Sequence, residues 1–135
     1  MARIPPQGGA VDPPARVLIV EDESITALDV ARQLRRLGYQ VVALARTGPE
    51  AISHALAHRP DVVLMDIRLQ GAMDGIDAAR RIHASAPIPV IYMSANVDAA
   101  TLEQIQATKA AGVVRKPIHV PTLHALLQRV LAGRR

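Results

Sequence analysis

Short apolar runs and helix-period patterns alternate along the whole chain. Apolar residues dominate five short stretches, at 17–20, 40–45, 62–65, 90–93 and 112–115, and each of these predicts a buried strand. Between them, apolar residues recur three and four positions apart, which is typical of amphipathic helices. The clearest stripe comprises Ala27, Val30, Ala31, Leu34 and Leu37.

Residues at the ends of these stripes indicate where helices start and stop. Thr47-Gly-Pro-Glu50 has the spacing of a capping box, with the Thr47 hydroxyl on the Glu50 amide and the Glu50 carboxylate on the Thr47 amide. Asp98 is predicted to cap a helix that runs to about Ala110. Pro121 is predicted to open the last helix at its first position.

Five strands alternating with five helices through short connections predict an α/β fold. Right-handed crossovers then give a five-stranded parallel sheet with helices on both faces. We expect a single doubly wound (βα)5 domain of flavodoxin-like strand order 2-1-3-4-5. It should occupy residues 15–132, after a flexible leader over 1–14 rich in Pro and Gly and before a short tail over 133–135.

Composition narrows the class of protein. The 135 residues contain no Cys, Phe or Trp and only two Tyr, so thiolate metal sites are excluded and the core must be aliphatic. No apolar run approaches the roughly 20 residues that span a bilayer, and we expect a soluble cytoplasmic protein without membrane contacts. The net charge of +4 is scattered and lacks interleaved aromatic residues, which disfavours direct nucleic-acid binding.

Four of the predicted strands end in groups that can do chemistry. Glu21 and Asp22 follow the first strand, Asp66 the third, Ser94 the fourth and Lys116 the fifth. In a parallel sheet these ends share one edge, and the order 2-1-3-4-5 makes Asp22 and Asp66 neighbours. Two carboxylates so placed favour a hard cation such as Mg²⁺. The set predicts phosphoryl transfer to Asp66 as nucleophile, with Lys116 and Ser94 stabilising charge.

Each of these residues also has a simpler interpretation. Glu21 and Asp22 suit a solvated loop, Ser94 suits a helix cap, and Lys116 suits the surface; only their coincidence at one edge favours a site. Other polar or sulfur-containing residues are expected to be structural. Asp74 and Asp77 should stabilise a helix amino terminus, Met65 and Met93 should be core, and the five His lack the spacing of a metal site.

With these residues in place, the sequence resembles the receiver domain of two-component response regulators, of the chemotaxis-regulator type. The resemblance covers about residues 15–132 and rests on five fragments in the same order as in the family. They are Leu-Ile-Val-Glu-Asp-Glu at 18–23, Leu-Met-Asp at 64–66, Met-Asp-Gly at 73–75, Tyr-Met-Ser-Ala at 92–95 and Arg-Lys-Pro at 115–117.

The resemblance implies that Asp66 accepts a phosphoryl group from a sensor histidine kinase or a phosphotransfer protein. It implies Mg²⁺ as cofactor, bound by Asp22, Asp66 and the backbone carbonyl of Arg68, with Glu21 acting mostly through water. Ser94 and Lys116 would contact the bound phosphoryl group, and the Lys116–Pro117 bond is often cis in such proteins. A receiver catalyses only its own phosphorylation and dephosphorylation, so we do not expect an enzyme.

The chain departs from the family pattern at three places. The loop at 69–73 lacks the usual Pro and is longer, which resembles a subgroup often coupled to sensor kinases. Ser94 replaces the commoner Thr. Val113 stands where an aromatic switch residue is usual, so output through the face of helix 4, strand 5 and helix 5 should rely on backbone and aliphatic repacking. Arg68 and Asn96 occupy positions that tune dephosphorylation in the family.

The downstream partner is expected to be a protein that the sequence does not identify, and a phosphorylation-dependent homodimer is another assembly that the family allows. Only residues 133–135 follow the last predicted helix, so we expect no attached DNA-binding domain in this chain. Three roles stay open: a stand-alone receiver, a phosphate shuttle or a piece of a longer protein.

Three other functions are alternatives to this one. A phosphatase of the haloacid dehalogenase type would carry a second Asp two residues after the nucleophile, where this chain has Arg68. A flavodoxin-like cofactor binder would receive a phosphate at its first loop, which Glu21, Asp22 and Glu23 would repel. A receiver that is not phosphorylated and works only as an interaction module remains the alternative.

Overall fold

The computed structural model, which describes residues 13–133, contains one five-stranded parallel sheet with the strand order β2-β1-β3-β4-β5. The predicted fold class and strand order are confirmed. The elements in chain order are β1 Arg16–Val20, α1 Ser24–Arg36, β2 Gln40–Ala45, α2 Gly48–His58, β3 Val62–Asp66, α3 Gly75–Ser85, β4 Val90–Ser94, α4 Ala99–Ala107, β5 Gly112–Arg115 and α5 Val120–Ala132.

Residues 1–12 of the predicted leader at 1–14 lie outside the described residues. Residues 134 and 135 of the predicted tail at 133–135 also lie outside them. The domain limits therefore stay predictions. Within residues 13–133, no helix combines the length and the apolar character needed to cross a membrane.

Alternate residues of the strands divide the core into two clusters, one on each face of the sheet. Leu18 and Val20 of β1 point towards α2, α3 and α4, while Val17 and Ile19 point towards α1 and α5. Every residue of β3 is buried, as expected for a central strand covered on both faces. Met65 and Met93 are core residues, as predicted.

Several local details differ from the predictions, including one-residue extensions of β1, β3 and β4. The Thr47 hydroxyl accepts the Glu50 amide at 3.2 Å as expected, but the Glu50 carboxylate accepts from the Arg46 amide at 2.8 Å rather than from Thr47. Helix α4 stops at Ala107, before the predicted Ala110, because the chain turns into the left-handed region at residue 109 (φ 57°). Helix α5 begins one residue before Pro121.

The start of α3 is packed tightly against the end of β3. Asp74 accepts from the Asp77 amide at 2.9 Å and Asp77 from the Asp74 amide at 3.4 Å, so the predicted stabilisation of this helix end takes the form of a capping box. A Cβ at Gly75 would collide with the backbone carbonyl oxygen of Asp66. Glycine at this position lets α3 approach the strand end that carries Asp66 and hold its backbone in place.

Candidate functional site

The carboxyl ends of β1, β3 and β5 bring four of the predicted residues together. Glu21, Asp22 and Asp66 each offer a carboxylate oxygen, and these atoms lie within 4.8 Å of one another. Lys116 and Ser94 line the same cleft, which has a volume of about 520 Å³. The convergence follows from the strand order, since β1 and β3 are neighbours at the centre of the sheet.

Lys116 forms ion pairs with two of the three carboxylates. Its Nζ lies 2.9 Å from Asp66 Oδ2 and 2.6 Å from Glu21 Oε1. The backbone amide of Lys116 donates to the Ser94 carbonyl at 2.9 Å, which fixes the start of this side chain at the end of β4. The Lys116–Pro117 peptide bond is cis. The lysine therefore neutralises part of the negative charge and points at the predicted acceptor.

Glu21 is the most deeply buried of the three acids, with 1% of its surface exposed. Its Oε2 accepts the Glu23 amide at 3.0 Å. Its Oε1 lies 2.6 Å from Lys116 Nζ and forms an ion pair with it. No described residue gives this oxygen a hydrogen bond of acceptable geometry. A buried carboxylate oxygen with spare acceptor capacity beside two more carboxylates fits a hard divalent cation.

The crowding of acids alters the pKa of Asp22. Burial raises this pKa above 3.8, and the hydrogen bond and negative charge of Glu21 raise it further. Because the folded pKa lies above the unfolded one, the contribution of Asp22 to stability is fully present below the unfolded value and is lost as the pH rises through the folded value. Ionised Asp22 therefore destabilises the metal-free fold at neutral pH.

Lys116 remains charged in this surrounding. Burial lowers its pKa, but the close carboxylates of Glu21 and Asp66 outweigh that effect, and the net pKa lies above its usual value of 10.5. A permanent ammonium beside Asp66 can stabilise negative oxygen atoms that arrive in the cleft.

Ser94 lies in the cleft, but its hydroxyl is engaged elsewhere. It donates to the Asn96 carbonyl at 3.0 Å and accepts the Asn96 amide at 3.2 Å. The alternative role as a helix cap is taken by Asp98, whose carboxylate accepts the Thr101 amide at 2.7 Å, as predicted for Asp98. The same hydrogen bond lowers the pKa of Asp98. Ser94 thus lies at the site, but its hydroxyl is hydrogen-bonded within the β4–α4 loop.

Arg68 lies beside the cleft and Val113 lies on β5, as expected from the sequence. Their roles in metal binding and in output stay predictions. Arg68 lines the cleft, and its amide lies 3.3 Å from Asp66 Oδ1. The part predicted for its carbonyl as a metal ligand rests on the resemblance alone. Val113 is partly buried on β5, and its register partner on β4 is Tyr92.

Sequence reasoning missed one residue beside the site, Arg46. Its Nη2 donates to the Asp22 carbonyl at 3.2 Å and so supports the loop that carries the acids. An exposed arginine after an edge strand carries no sequence signal for such a contact.

Comparison with known proteins agrees with the geometry. Residues 17–128 match the family model described as a response regulator receiver domain. The transcriptional regulatory protein PdtaR of Mycobacterium tuberculosis is 36% identical over 110 residues, which cover 82% of this chain and 53% of that protein. The phyllosphere-induced regulator PhyR of Methylorubrum extorquens is 29% identical over 123 residues, covering 90% of this chain and 45% of that protein. The chain thus spans about half the length of these relatives.

Solved structures show the same similarity. The signal receiver domain of a modulated diguanylate cyclase from Desulfovibrio desulfuricans superposes with a TM-score of 0.83 at 34% identity, covering 89% of this chain and 95% of that one. Vibrio cholerae chemotaxis protein CheY4 superposes with a TM-score of 0.80 at 28% identity, covering 87% and 98%.

Removing the charge of Asp22 should stabilise the metal-free protein. We expect Asp22→Asn to raise the thermal midpoint in chelator at pH 7, because it removes a partly desolvated charge and its repulsion from Glu21. The gain should shrink as the pH falls towards the unfolded pKa, where wild-type Asp22 becomes protonated. Glu103→Gln, an exposed charge removal on α4, is the control. A midpoint for Asp22→Asn below that of the wild type at pH 7 would contradict the repulsion.

Proposed function

The chain belongs to the response regulator receiver family, and from that premise we propose that Asp66 accepts a phosphoryl group from the phosphohistidine of a sensor histidine kinase or a phosphotransfer protein. One observation carries the proposal: Lys116 Nζ lies 2.9 Å from Asp66 Oδ2, in a cleft that Glu21 and Asp22 also line. A nucleophilic carboxylate, a fixed cation and spare acidic ligands meet at one point, which is what transfer to a carboxylate requires.

In the proposed transfer, a carboxylate oxygen of Asp66 forms a bond to phosphorus while the bond from phosphorus to the imidazole nitrogen breaks. The electron pair of the broken bond stays on the imidazole. Lys116 stabilises the negative phosphoryl oxygens, and its permanent charge suits it to that work. The chain is the phosphoryl acceptor and promotes its own modification.

We propose Mg²⁺ as the cofactor, held by Asp22 and Asp66 with Glu21 nearby. Three oxygen ligands from carboxylates within 4.8 Å of one another, one of them on a buried and under-bonded side chain, are the support for this. When bound, Mg²⁺ supplies positive charge that offsets repulsion between these acids and an incoming phosphate.

The signal is proposed to leave through Ser94. Once Asp66 carries a phosphoryl group, the Ser94 hydroxyl can donate to it only by giving up its bond to the Asn96 carbonyl, since a hydroxyl has one proton. The β4–α4 loop then loses this internal tie and rearranges. The surface of α4, β5 and α5 is the proposed output face, where Val113 repacks without any aromatic rotation.

A protein donor needs a surface on which to dock beside the cleft. Ile25 and Leu28 of α1 are 84% and 58% exposed. They line a groove of about 1230 Å³ that shares Glu23, Ala95 and Lys116 with the acidic cleft. Because exposed apolar residues in contact with a site favour a protein partner, we propose that a helix of the phosphodonor packs here.

Phosphorylation of Asp66 can be tested with a small phosphodonor. Incubation of the chain with acetyl phosphate and Mg²⁺ should add one phosphoryl mass, which EDTA should prevent, as should Asp66→Asn. Asp61→Asn, at the opposite edge of the sheet, is the matched control and should be labelled like the wild type. Unchanged labelling in Asp66→Asn would refute the assignment, and no labelling of wild type would favour the interaction module.

The docking surface can be separated from the chemistry with Leu28→Asp. A charge at the interface should slow transfer from a phosphorylated donor protein by about tenfold, since an apolar anchor contributes about 1–2 kcal/mol. Labelling by acetyl phosphate should be unchanged. Leu102→Asp, an exposed leucine of α4, is the control for surface charge. Equal slowing with both donors, or in both variants, would contradict docking on α1.

The output face can be tested by amide exchange in the free and beryllofluoride-bound forms. We expect amide exchange at the amino-terminal half of α4 and along β5 and α5 to change severalfold, because Ser94 leaves Asn96 when the acceptor is occupied. Central strand β3 serves as the internal reference, since its residues are all buried. Identical exchange across the face in the two forms would count against output there.

A further inference from the structure

Helix α4 is attached to the sheet mainly at its carboxyl end. Ile105 is its one buried residue within the described helix, and Thr108, which follows the helix, is 6% exposed. Leu102, one turn earlier, is 41% exposed. By contrast, α1 buries Ala27, Val30, Ala31 and Leu34 along its length. The amino-terminal half of α4 is thus held by its cap and by the β4–α4 loop rather than by core packing.

A directed chain of hydrogen bonds makes the attachment at the carboxyl end. Thr108 Oγ1 donates to the Ile105 carbonyl at 2.6 Å. That donation uses the single hydroxyl proton of Thr108, so at 3.0 Å the Tyr92 hydroxyl must be the donor to Thr108 Oγ1. Tyr92 is fully buried and desolvation raises its pKa, so the phenol keeps the proton that it donates. Breaking this contact would leave the buried Tyr92 hydroxyl without its partner, although Thr108 would keep its bond to the Ile105 carbonyl.

Tyr92 is also placed to connect α4 with the proposed output route. It lies on β4 two residues before Ser94, so both side chains project to the same face of the strand. On β5 its register partner is Val113, and both residues belong to the core cluster beneath α2, α3 and α4. The chain lacks a ring on β5 but holds one on the adjacent strand, bonded to the end of α4.

We propose that the contact between Tyr92 and Thr108 is a fixed pivot for α4. When Asp66 is modified, the β4–α4 loop and the amino-terminal half of the helix move, while the carboxyl end stays on Tyr92. The inference rests on the proposed function, because the movement starts with Ser94. It assigns the two ends of α4 different roles: the end near Asp98 changes with phosphorylation, and the end near Thr108 does not.

Amide exchange resolved along α4 tests the pivot in the full chain, with and without beryllofluoride and Mg²⁺. In the wild type, exchange should change severalfold at residues 99–103 and by less than twofold at 105–109. Tyr92→Phe keeps the ring but removes the donor, so the change should extend through 105–109. Tyr39→Phe is the matched control, since that phenol bonds His124 on the opposite face of the sheet, and it should behave like the wild type.

Thr108→Val gives a second variant of similar volume that removes the acceptor, and it should reproduce Tyr92→Phe. The adduct at Asp66 is followed separately by ¹⁹F NMR of bound beryllofluoride in every protein. An adduct with equal exchange changes along all of α4 in wild type would overturn the pivot alone. So would an unchanged carboxyl end in both Tyr92→Phe and Thr108→Val. Absence of the adduct in wild type would instead overturn the proposed function, and the pivot with it.

Discussion

Repulsion among three carboxylates at one edge of the sheet is the constraint on which the rest of the structure depends. Glu21, Asp22 and Asp66 offer oxygens within 4.8 Å of one another. At an effective dielectric constant of about 20, each such pair of charges repels by about 3–4 kcal/mol. The free energy of unfolding of a domain is only about 5–15 kcal/mol, so this repulsion is a large term. Lys116 offsets part of it, and the packing of the surrounding strands keeps the three carboxylates together.

The strands around Asp66 are among the most completely buried parts of the fold. β3 is buried along its whole length between β1 and β4, and Gly75 lets α3 lie directly against the end of that strand. The Asp66 carboxylate is therefore held close to its neighbours. The charges in the cleft are therefore already in position when a cation enters. Because the carboxylates have not moved apart beforehand, binding of the cation relieves their repulsion.

The surface proposed for output is built differently. α4 has little apolar anchorage, and the contacts that position it are polar: Ser94 with Asn96 at one end, Tyr92 with Thr108 at the other. The first contact uses the hydroxyl group that a phosphoryl group on Asp66 would compete for. The second is buried and remote from the cleft. Such an arrangement can turn one exchanged hydrogen bond into a change of helix position without an aromatic ring at residue 113.

The strand order, most element boundaries and the residues that meet in the cleft could be predicted from the sequence, because apolar period and strand-end chemistry are local signals. Asp66, Asp22 and Lys116 could be found since the carboxyl ends of parallel strands share an edge. The tertiary structure decided which partners the polar groups take. In the folded chain, the Glu50 carboxylate accepts from the Arg46 amide and the Ser94 hydroxyl donates to the Asn96 carbonyl. The Tyr92 hydroxyl is bonded to that of Thr108. The first two contacts join residues only four and two positions apart, and the third joins β4 to the end of α4. Other possible partners lie equally near in the sequence, so only the packing of the folded chain decides among them.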